Sequence, residues 1–363
     1  MGLATCDRLR RRGLRVLGID RFPIPHQQGS HHGHSRMIRM SYFEHSDYVP
    51  LLRRAFQLWR ELEEELGKKL LLETGGLYLG AKEGVIVNSC ARAAAEHSLS
   101  HEMLSATEVL QRYPIFAGLD EYRGYYEREG GVLLVDSMMR ELRLMVGKGG
   151  VEFREGESVI EWRADAGGVS VRTDLGAYSA DRLILAGGAW SGELLHELGV
   201  PLQVTRQTMF WVQPRANFKG ERDSFPAWFL ETEPGRGIYG FPELPGKLGF
   251  KVAEHLPGES TSPSTVDRQV NAADWTRLRS IAQEHIPDLL GEVVDSSVCL
   301  YTNTPDGHFV LDRHPRFRNV TFAAGFSGHG FKFAPVIGEA LADLALLGST
   351  SLPVGFLGLD RFA

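Results

Sequence analysis

The chain has 363 residues, 43% of them hydrophobic and 24% charged, with a net charge of −6 from 40 basic and 46 acidic side chains. That composition suits a globular protein of about two domains. It excludes fibrous and disordered readings and gives no general attraction to nucleic acid or an anionic membrane, so the expected partner is a small molecule.

The first residues lack the apolar core of a secretory signal, and a cytoplasmic location is expected. Residues 2–12 read as a helix closing at Gly13, with the RLRRRGLR run as solvent-facing basic residues at a helix C-terminus rather than a nucleic-acid patch. LRVLGID follows as a short apolar strand ending at Asp20, the second half of a βαβ unit. A long helix is predicted over 47–66. Asp47 caps it, Pro50 sits in its first turn, and Leu52, Ala55, Phe56, Trp59, Leu62 and Leu66 recur at helical spacing before Gly67.

From Val151 the period changes to two, and VEFREGESVIEWRA and VSVRT read as strands of a meander. ADRLILAGGAW is a buried strand running into a glycine turn that holds Gly187, followed by a helix over WSGELLHELG. Residues 204–298 shift to aromatics, prolines and short strands (TMFWVQP, AWFLE, GIYGFP, LGFKV), which reads as an inserted sheet domain. Near the C-terminus NVTFAAG is a strand and FSGHG a glycine loop, with Gly325, Gly328 and Gly330 in this region. KFAPVIGEALADLALLG is an amphipathic helix, too short and too charged to span a bilayer. A strand, a glycine loop and a helix N-terminus together make an anion or cofactor cradle.

The expected fold class is therefore α/β, a Rossmann-like cofactor domain with an inserted α+β domain on a mostly antiparallel sheet. The cofactor domain is drawn from residues 1–70, 131–203 and 299–363, and the substrate domain from 71–130 and 204–298.

Three blocks carry a family resemblance: PHQQGSHHGHSRMIR at 25–39, CLYTNTPDGHFVLDRHP at 299–315 and AAGFSGHGFKF at 323–333, with GIYGFP at 237–242 in support. They resemble the flavin-dependent amine oxidases that include monomeric sarcosine oxidase and N-methyltryptophan oxidase. The cysteines at 6, 90 and 299 are too few and too scattered for a disulfide framework or a metal knuckle, and fit a reducing compartment. A cysteine in an apolar strand is by default inert core. The resemblance instead implies that Cys299 is the covalent attachment point of FAD, while Cys6 and Cys90 keep the core reading. It also implies that Arg39 and Lys332 hold the substrate carboxylate, an anion whose desolvation needs charged donors.

Arg36 resembles an arginine close to the flavin ring. Lys251 and His255 resemble a lysine and histidine on the ring's other face, with Lys251 the candidate for oxygen activation; its alternative is to snorkel from a buried strand. Tyr239 and Tyr301 resemble aromatics around the substrate cavity, or are core tyrosines with satisfied hydroxyls. Ser30, His31 and Ser35 fall in the turn that the family places near the flavin and its pyrophosphate. The histidine-rich run His26, His31, His32, His34 and His45 has no Cys or carboxylate at ligand spacing, so no metal is expected.

The dinucleotide fingerprint needs a strand, three spaced glycines, a helix and then an acidic residue for the ribose. Asp20 is the acid and Gly2 the last glycine. The first strand and the first two glycines do not precede them, and either a late start codon or a defective fragment would account for this. A smaller departure is His34, where the family usually has an aspartate. The expected reaction is FAD-dependent oxidation of a secondary N-methyl amino acid by a monomer. It gives an imine that hydrolyses to formaldehyde and the amino acid, with oxygen reduced to hydrogen peroxide. The alternatives are a dehydrogenase with another electron acceptor, or an inactive fragment that only binds.

Overall fold

A computed structural model describes residues 1–215, 225–246, 249–255 and 258–362. Its largest element is a nine-stranded sheet. The strands Gln203–Val212, Ala227–Glu233, Arg236–Phe241 and Phe250–His255 lie in it beside Gly76–Ala81 and Tyr122–Glu127. The inserted sheet domain is thus built largely as expected, although Leu248 of LGFKV lies outside the described residues. The strand Val293–Asn303 pairs with Gln203–Val212 along its length and runs across the expected boundary at 298/299. Cys299 therefore sits midway along a strand that joins the large sheet through Gln203–Val212.

Within the large sheet Ala227–Glu233 pairs in parallel with Gly76–Ala81, and two smaller sheets hold further parallel pairs. Leu17–Asp20 pairs with Glu152–Glu155, and Leu183–Leu185 pairs with Val320–Ala324. VEFRE is accordingly not part of the meander, which is Val159–Asp165, Gly168–Thr173 and Ala177–Ala180. A parallel partner fixes Glu152–Glu155 beside the strand ending in Asp20, a pairing that period-two alternation alone cannot foresee.

The helix Gly2–Arg11 packs its Ala4 backbone so closely on Gly338 that a Cβ there would meet it at 2.7 Å. Its arginines do not simply face solvent. Arg10 and Arg11 pair with Asp7 and Glu65, and Arg12 pairs with Asp343, so the basic run ties three helices together. The long helix is Tyr48–Leu66, but Asp47 makes no side-chain capping bond and itself adopts a helical conformation. WSGELLHELG forms one α-turn, Ser191–Leu194, and then the 3₁₀ turn His196–Leu198, which Gly199 ends in the left-handed conformation. The helix Ala334–Leu347 is buried through most of its length rather than amphipathic, since the N-terminal helix, the long helix and the strand Val320–Ala324 all pack on it. Arg54 donates from Nε and Nη2 to the two carboxylate oxygens of Glu339, fastening the long helix to this one. Among the described residues, no helix is long and apolar enough to cross a membrane.

Candidate active site

Residues directly opposite each other in an antiparallel sheet project from the same face. Gln207 is opposite Cys299, Thr205 opposite Tyr301, Met209 opposite Ala253, and Lys251 is opposite both Trp211 and Phe241. Tyr239 is opposite Ala253 and Phe229, and His255 lies on the same face two pleats from Lys251. One face of the sheet thus collects Cys299, Tyr301, Tyr239, Lys251 and His255, which the sequence spreads over more than sixty positions.

Two segments close over this face. The first is the turn and strand at residues 30–44, in which Ser35–Ile38 pairs with Gly131–Leu134. The second is the loop 325–333, where Gly328 adopts φ +80° and a Cβ would strike the Tyr301 ring at 2.3 Å. Only glycine fits there. Between them lies a cavity of about 70 Å³ lined by Arg36, Arg39, Glu44, Tyr239, His255, Cys299, Tyr301, Gly328 and Lys332, with Phe43, Met209, Phe229, Phe241 and Phe331 as apolar walls.

Arg39 is 4% exposed and Lys332 5%. Both cations lie over the ring of Tyr42, the Arg39 Cζ at 4.3 Å and the Lys332 Nζ at 5.3 Å. Arg39 also stacks on Phe43 at 4.0 Å and pairs with Glu44. Burial works against its charge, but the Glu44 carboxylate more than offsets this and holds the guanidinium firmly protonated. Lys332 has no carboxylate partner at bonding distance among the described residues. Its ammonium donates to the His329 carbonyl at 2.9 Å, and burial, followed by repulsion from Arg39, pushes its pKa well down. The Trp59 indole donates to the Lys332 carbonyl at 2.9 Å, so the long helix positions this residue.

The other polar residues are held just as closely. The Arg36 guanidinium donates to the carbonyls of Ser35 and Ser30 and reaches the Cys299 Sγ at 3.8 Å. Ser30 Oγ donates to the Leu300 carbonyl, which draws the turn onto the strand of Cys299. Lys251 is 1% exposed and does not line the cavity. Its ammonium donates to the carbonyls of Gly33 at 2.9 Å and Ser35 at 3.2 Å, and burial, followed by the charge of Arg36, pushes its pKa well down. His255 is lowered to about 4 by burial and is neutral at pH 7, with its ring 3.5 Å from the Tyr301 hydroxyl. Burial raises Tyr239 and Tyr301, so both phenols keep their protons.

The residues expected near the cofactor's other end also converge. Asp20 accepts from the Phe22 amide, and Phe22 packs on His26 and Trp190 at 5.1 and 5.6 Å. The rings of His26 and His31 lie 4.3 Å apart. A Cβ on Gly2 would lie 3.8 Å from Ala186, next to Gly187, and Gly325 follows the strand Val320–Ala324 against Thr304. Gly330 leaves no space for a Cβ against Phe326. Five buried polar atoms along this path make no hydrogen bond: His31 Nε2, His32 Nε2, Ser35 Oγ, Trp190 Nε1 and Ser191 Oγ. Buried polar groups without partners are costly, so a run of them marks a polar ligand's path. Donors and acceptors leading from Asp20 to Cys299 fit FAD, an extended molecule with a ribose, a pyrophosphate and a ring system. Among the described residues no group of three His, Cys, Asp or Glu side chains could hold a metal ion.

Glu44, Tyr42, His329 and Glu127 are absent from the sequence-based set. Glu127 accepts from the amides of Met40 and Ser41 and from the Tyr78 hydroxyl, pinning the backbone just after Arg39. Glu44 carried one signal, its place five residues beyond Arg39. Glu127 carried none, because it reaches the site from a strand nearly ninety residues away.

Comparison with known proteins agrees with this geometry. Residues 1–344 match the family model described as FAD dependent oxidoreductase (DAO). The chain is 39% identical to a monomeric sarcosine oxidase of Streptomyces avermitilis, over 100% of this chain and 95% of that one. It is 33% identical to the peroxisomal sarcosine oxidase of Homo sapiens, over 99% and 93%, and 33% identical to an N-methyl-L-tryptophan oxidase of Salmonella arizonae, over 97% and 94%. Among solved structures, NikD, an unusual amino acid oxidase essential for nikkomycin biosynthesis, superposes with a TM-score of 0.85 at 27% identity, covering 98% of this chain and 94% of the other. The L-proline dehydrogenase of P. horikoshii shares the fold at TM-score 0.84 and 20% identity. The protein belongs to the FAD dependent oxidoreductase family, in the neighbourhood of its amine oxidases.

Proposed function

We propose that the protein oxidises a small secondary N-methyl amino acid of the sarcosine type to an imine, which water converts to formaldehyde and the primary amino acid. In this reading FAD is tethered through Cys299 and oxygen becomes hydrogen peroxide. The convergence of Arg39 and Lys332 on Tyr42, at the edge of an apolar cavity that Cys299 also lines, carries the reading. The sarcosine oxidase and N-methyltryptophan oxidase relatives support it.

A bound flavin supplies the two-electron acceptor for the broken C–H bond. The chain's part is to bind and orient. Arg39 offers a planar fork to the substrate carboxylate, which takes the place of Glu44, and Lys332 gains the anionic partner its buried ammonium lacks. The phenyl walls exclude water from the N-methyl group. Arg36, Arg39 and Lys332 together make the site hostile to a further positive charge, so they disfavour the substrate's ammonium form and promote loss of its proton without a dedicated base. His255 and the two phenols, neutral at pH 7, do not reverse that bias. Lys251, buried near Arg36 and Cys299, is the cation placed to stabilise negative charge developing on oxygen.

The deciding experiment is to mix the flavin-loaded protein anaerobically with sarcosine and then admit oxygen. The flavin absorbance should bleach on the first step and return on the second, with one peroxide per cycle. A flavin that sarcosine does not bleach, but another amine does, would reassign the substrate.

A further inference from the structure

His34 is one of the places at which the chain departs from its resemblance, and its backbone is unusual. It has φ +65°, and the Ser35 amide donates to the Gly33 carbonyl at 2.7 Å across it. This is a three-residue turn of the positive-φ kind, which is rare and strained for any residue with a Cβ. The two carbonyls on either side of His34, those of Gly33 and Ser35, are the acceptors of the buried Lys251 ammonium. The intervening His34 carbonyl points elsewhere and accepts from the Val135 amide at 2.9 Å.

The side chain supplies what holds the strained turn. The His34 Nδ1 bonds Asp136 in the first turn of the helix Val135–Lys148, and the Nε2 lies 3.6 Å from Asp295 on the strand Val293–Asn303. The ring packs on Trp211 at 4.9 Å, and the other neighbour of Trp211 is Lys251 itself, with Nζ 5.4 Å from the indole. Gly33 completes the arrangement. It has φ +86°, and a Cβ there would clash with Met209 at 2.7 Å, while the Lys251 ammonium would lie at contact distance, 3.5 Å.

We propose that His34 is a positioning residue for Lys251: anchored by Asp136, Asp295 and Trp211, it holds the strained turn whose flanking carbonyls seat the Lys251 ammonium. Strain of this kind persists only where the surroundings over-determine it, and here three separate elements do so. The inference takes the oxygen-activating role of Lys251 from the reading above, but the placement of Lys251 is tested independently of it.

The test compares His34→Ala, which keeps the Cβ penalty and loses the anchors, with His34→Asn, which tolerates positive φ and can still bond a carboxylate. Each holoprotein is treated briefly with an amine-acylating ester, and labelling of Lys251 is measured by peptide mass spectrometry relative to Lys332, a second buried lysine that serves as internal reference. In His34→Ala the Lys251-to-Lys332 ratio should rise about tenfold, the scale of one unsupported left-handed residue. In His34→Asn it should stay within about twofold of wild type. An unchanged ratio in His34→Ala overturns the proposal. So does an equal rise in His34→Asn, or a parallel rise at both lysines, which would mean general loosening. In the same variants, reoxidation of reduced flavin by oxygen should slow about tenfold in His34→Ala while anaerobic reduction by substrate stays nearly constant. A raised labelling ratio with unchanged reoxidation supports the positioning role and overturns the oxygen assignment of Lys251.

Discussion

The Arg39 guanidinium rests 2.5 Å from the carboxylate of Glu44, five residues along the same chain segment. The site thus contains an internal carboxylate on the very group assigned to the substrate's carboxylate. Exchanging one charge-assisted pair for another costs far less than stripping water from a lone guanidinium, so Glu44 both keeps Arg39 charged and competes with what Arg39 binds. Removing its charge while keeping its shape, as in Glu44→Gln, should tighten binding of small carboxylates such as acetate by about tenfold, the scale of one modest ion pair. Titrating acetate against the flavin absorbance spectrum measures this. Equal affinity in wild type and variant would mean that anions dock elsewhere.

The clamp itself separates two kinds of substrate. Arg39→Met and Lys332→Met should each lower kcat/KM for sarcosine by about a hundredfold or more, because a buried carboxylate loses a charged partner. For dimethylamine, which has no carboxylate, the loss should be less than about tenfold. If both amines suffered alike, the two cations would be serving the fold or the flavin instead.

The route from sequence to this site was uneven for physical reasons. Cys299, Tyr301, Tyr239 and His255 were readable because each sits in a distinctive local block, and strand alternation then places them on one face. Glu127 was invisible, because its bonds to Met40, Ser41 and Tyr78 depend on strand pairing across long separations, which no local pattern encodes. The helix Ala334–Leu347 looked amphipathic from Glu339 and Asp343, yet those two carboxylates are matched by Arg54 and Arg12 from other helices, so burial extends around it. The left-handed turn at His34 had no signal beyond its glycine neighbour, since a positive φ on histidine is set by tertiary anchors.

The tether is testable by denaturation. Cys299 is 2% exposed, with the Arg36 guanidinium 3.8 Å from its sulfur, so this arginine sits at the proposed attachment atom. After acid denaturation and electrophoresis, flavin fluorescence should travel with the wild-type chain and be lost from Cys299→Ser. Arg36→Met should lower the tethered fraction without abolishing it. Fluorescence that ran free of the unmutated chain would refute the attachment.

Glu127 and His255 make opposite contributions to the dependence of stability on pH. Burial raises Glu127 from 4.5 to about 7, against the donors that favour its charge. The unfolded chain therefore releases this proton at lower pH than the folded protein does. The stability gained from Glu127 is fully present below pH 4.5 and is lost as pH rises to about 7, a change on the order of 3 kcal/mol for that shift. Burial lowers His255 from 6.5 to about 4, so its contribution is present above pH 6.5 and is lost as pH falls toward 4. His31 and His32, each lowered to about 3 by burial, act in the same sense as His255. The histidines outnumber Glu127, and wild-type stability should rise with pH from 4.5 to 6.5. Glu127→Gln removes the opposing term, so the difference in unfolding free energy, variant minus wild type, should climb between pH 4.5 and 7 and be flat above that. His255→Gln should instead flatten the acid loss. Urea unfolding at pH 5, 6, 7 and 8 measures both, and a Glu127→Gln curve parallel to wild type would mean that the amides of Met40 and Ser41 keep Glu127 ionised despite its burial.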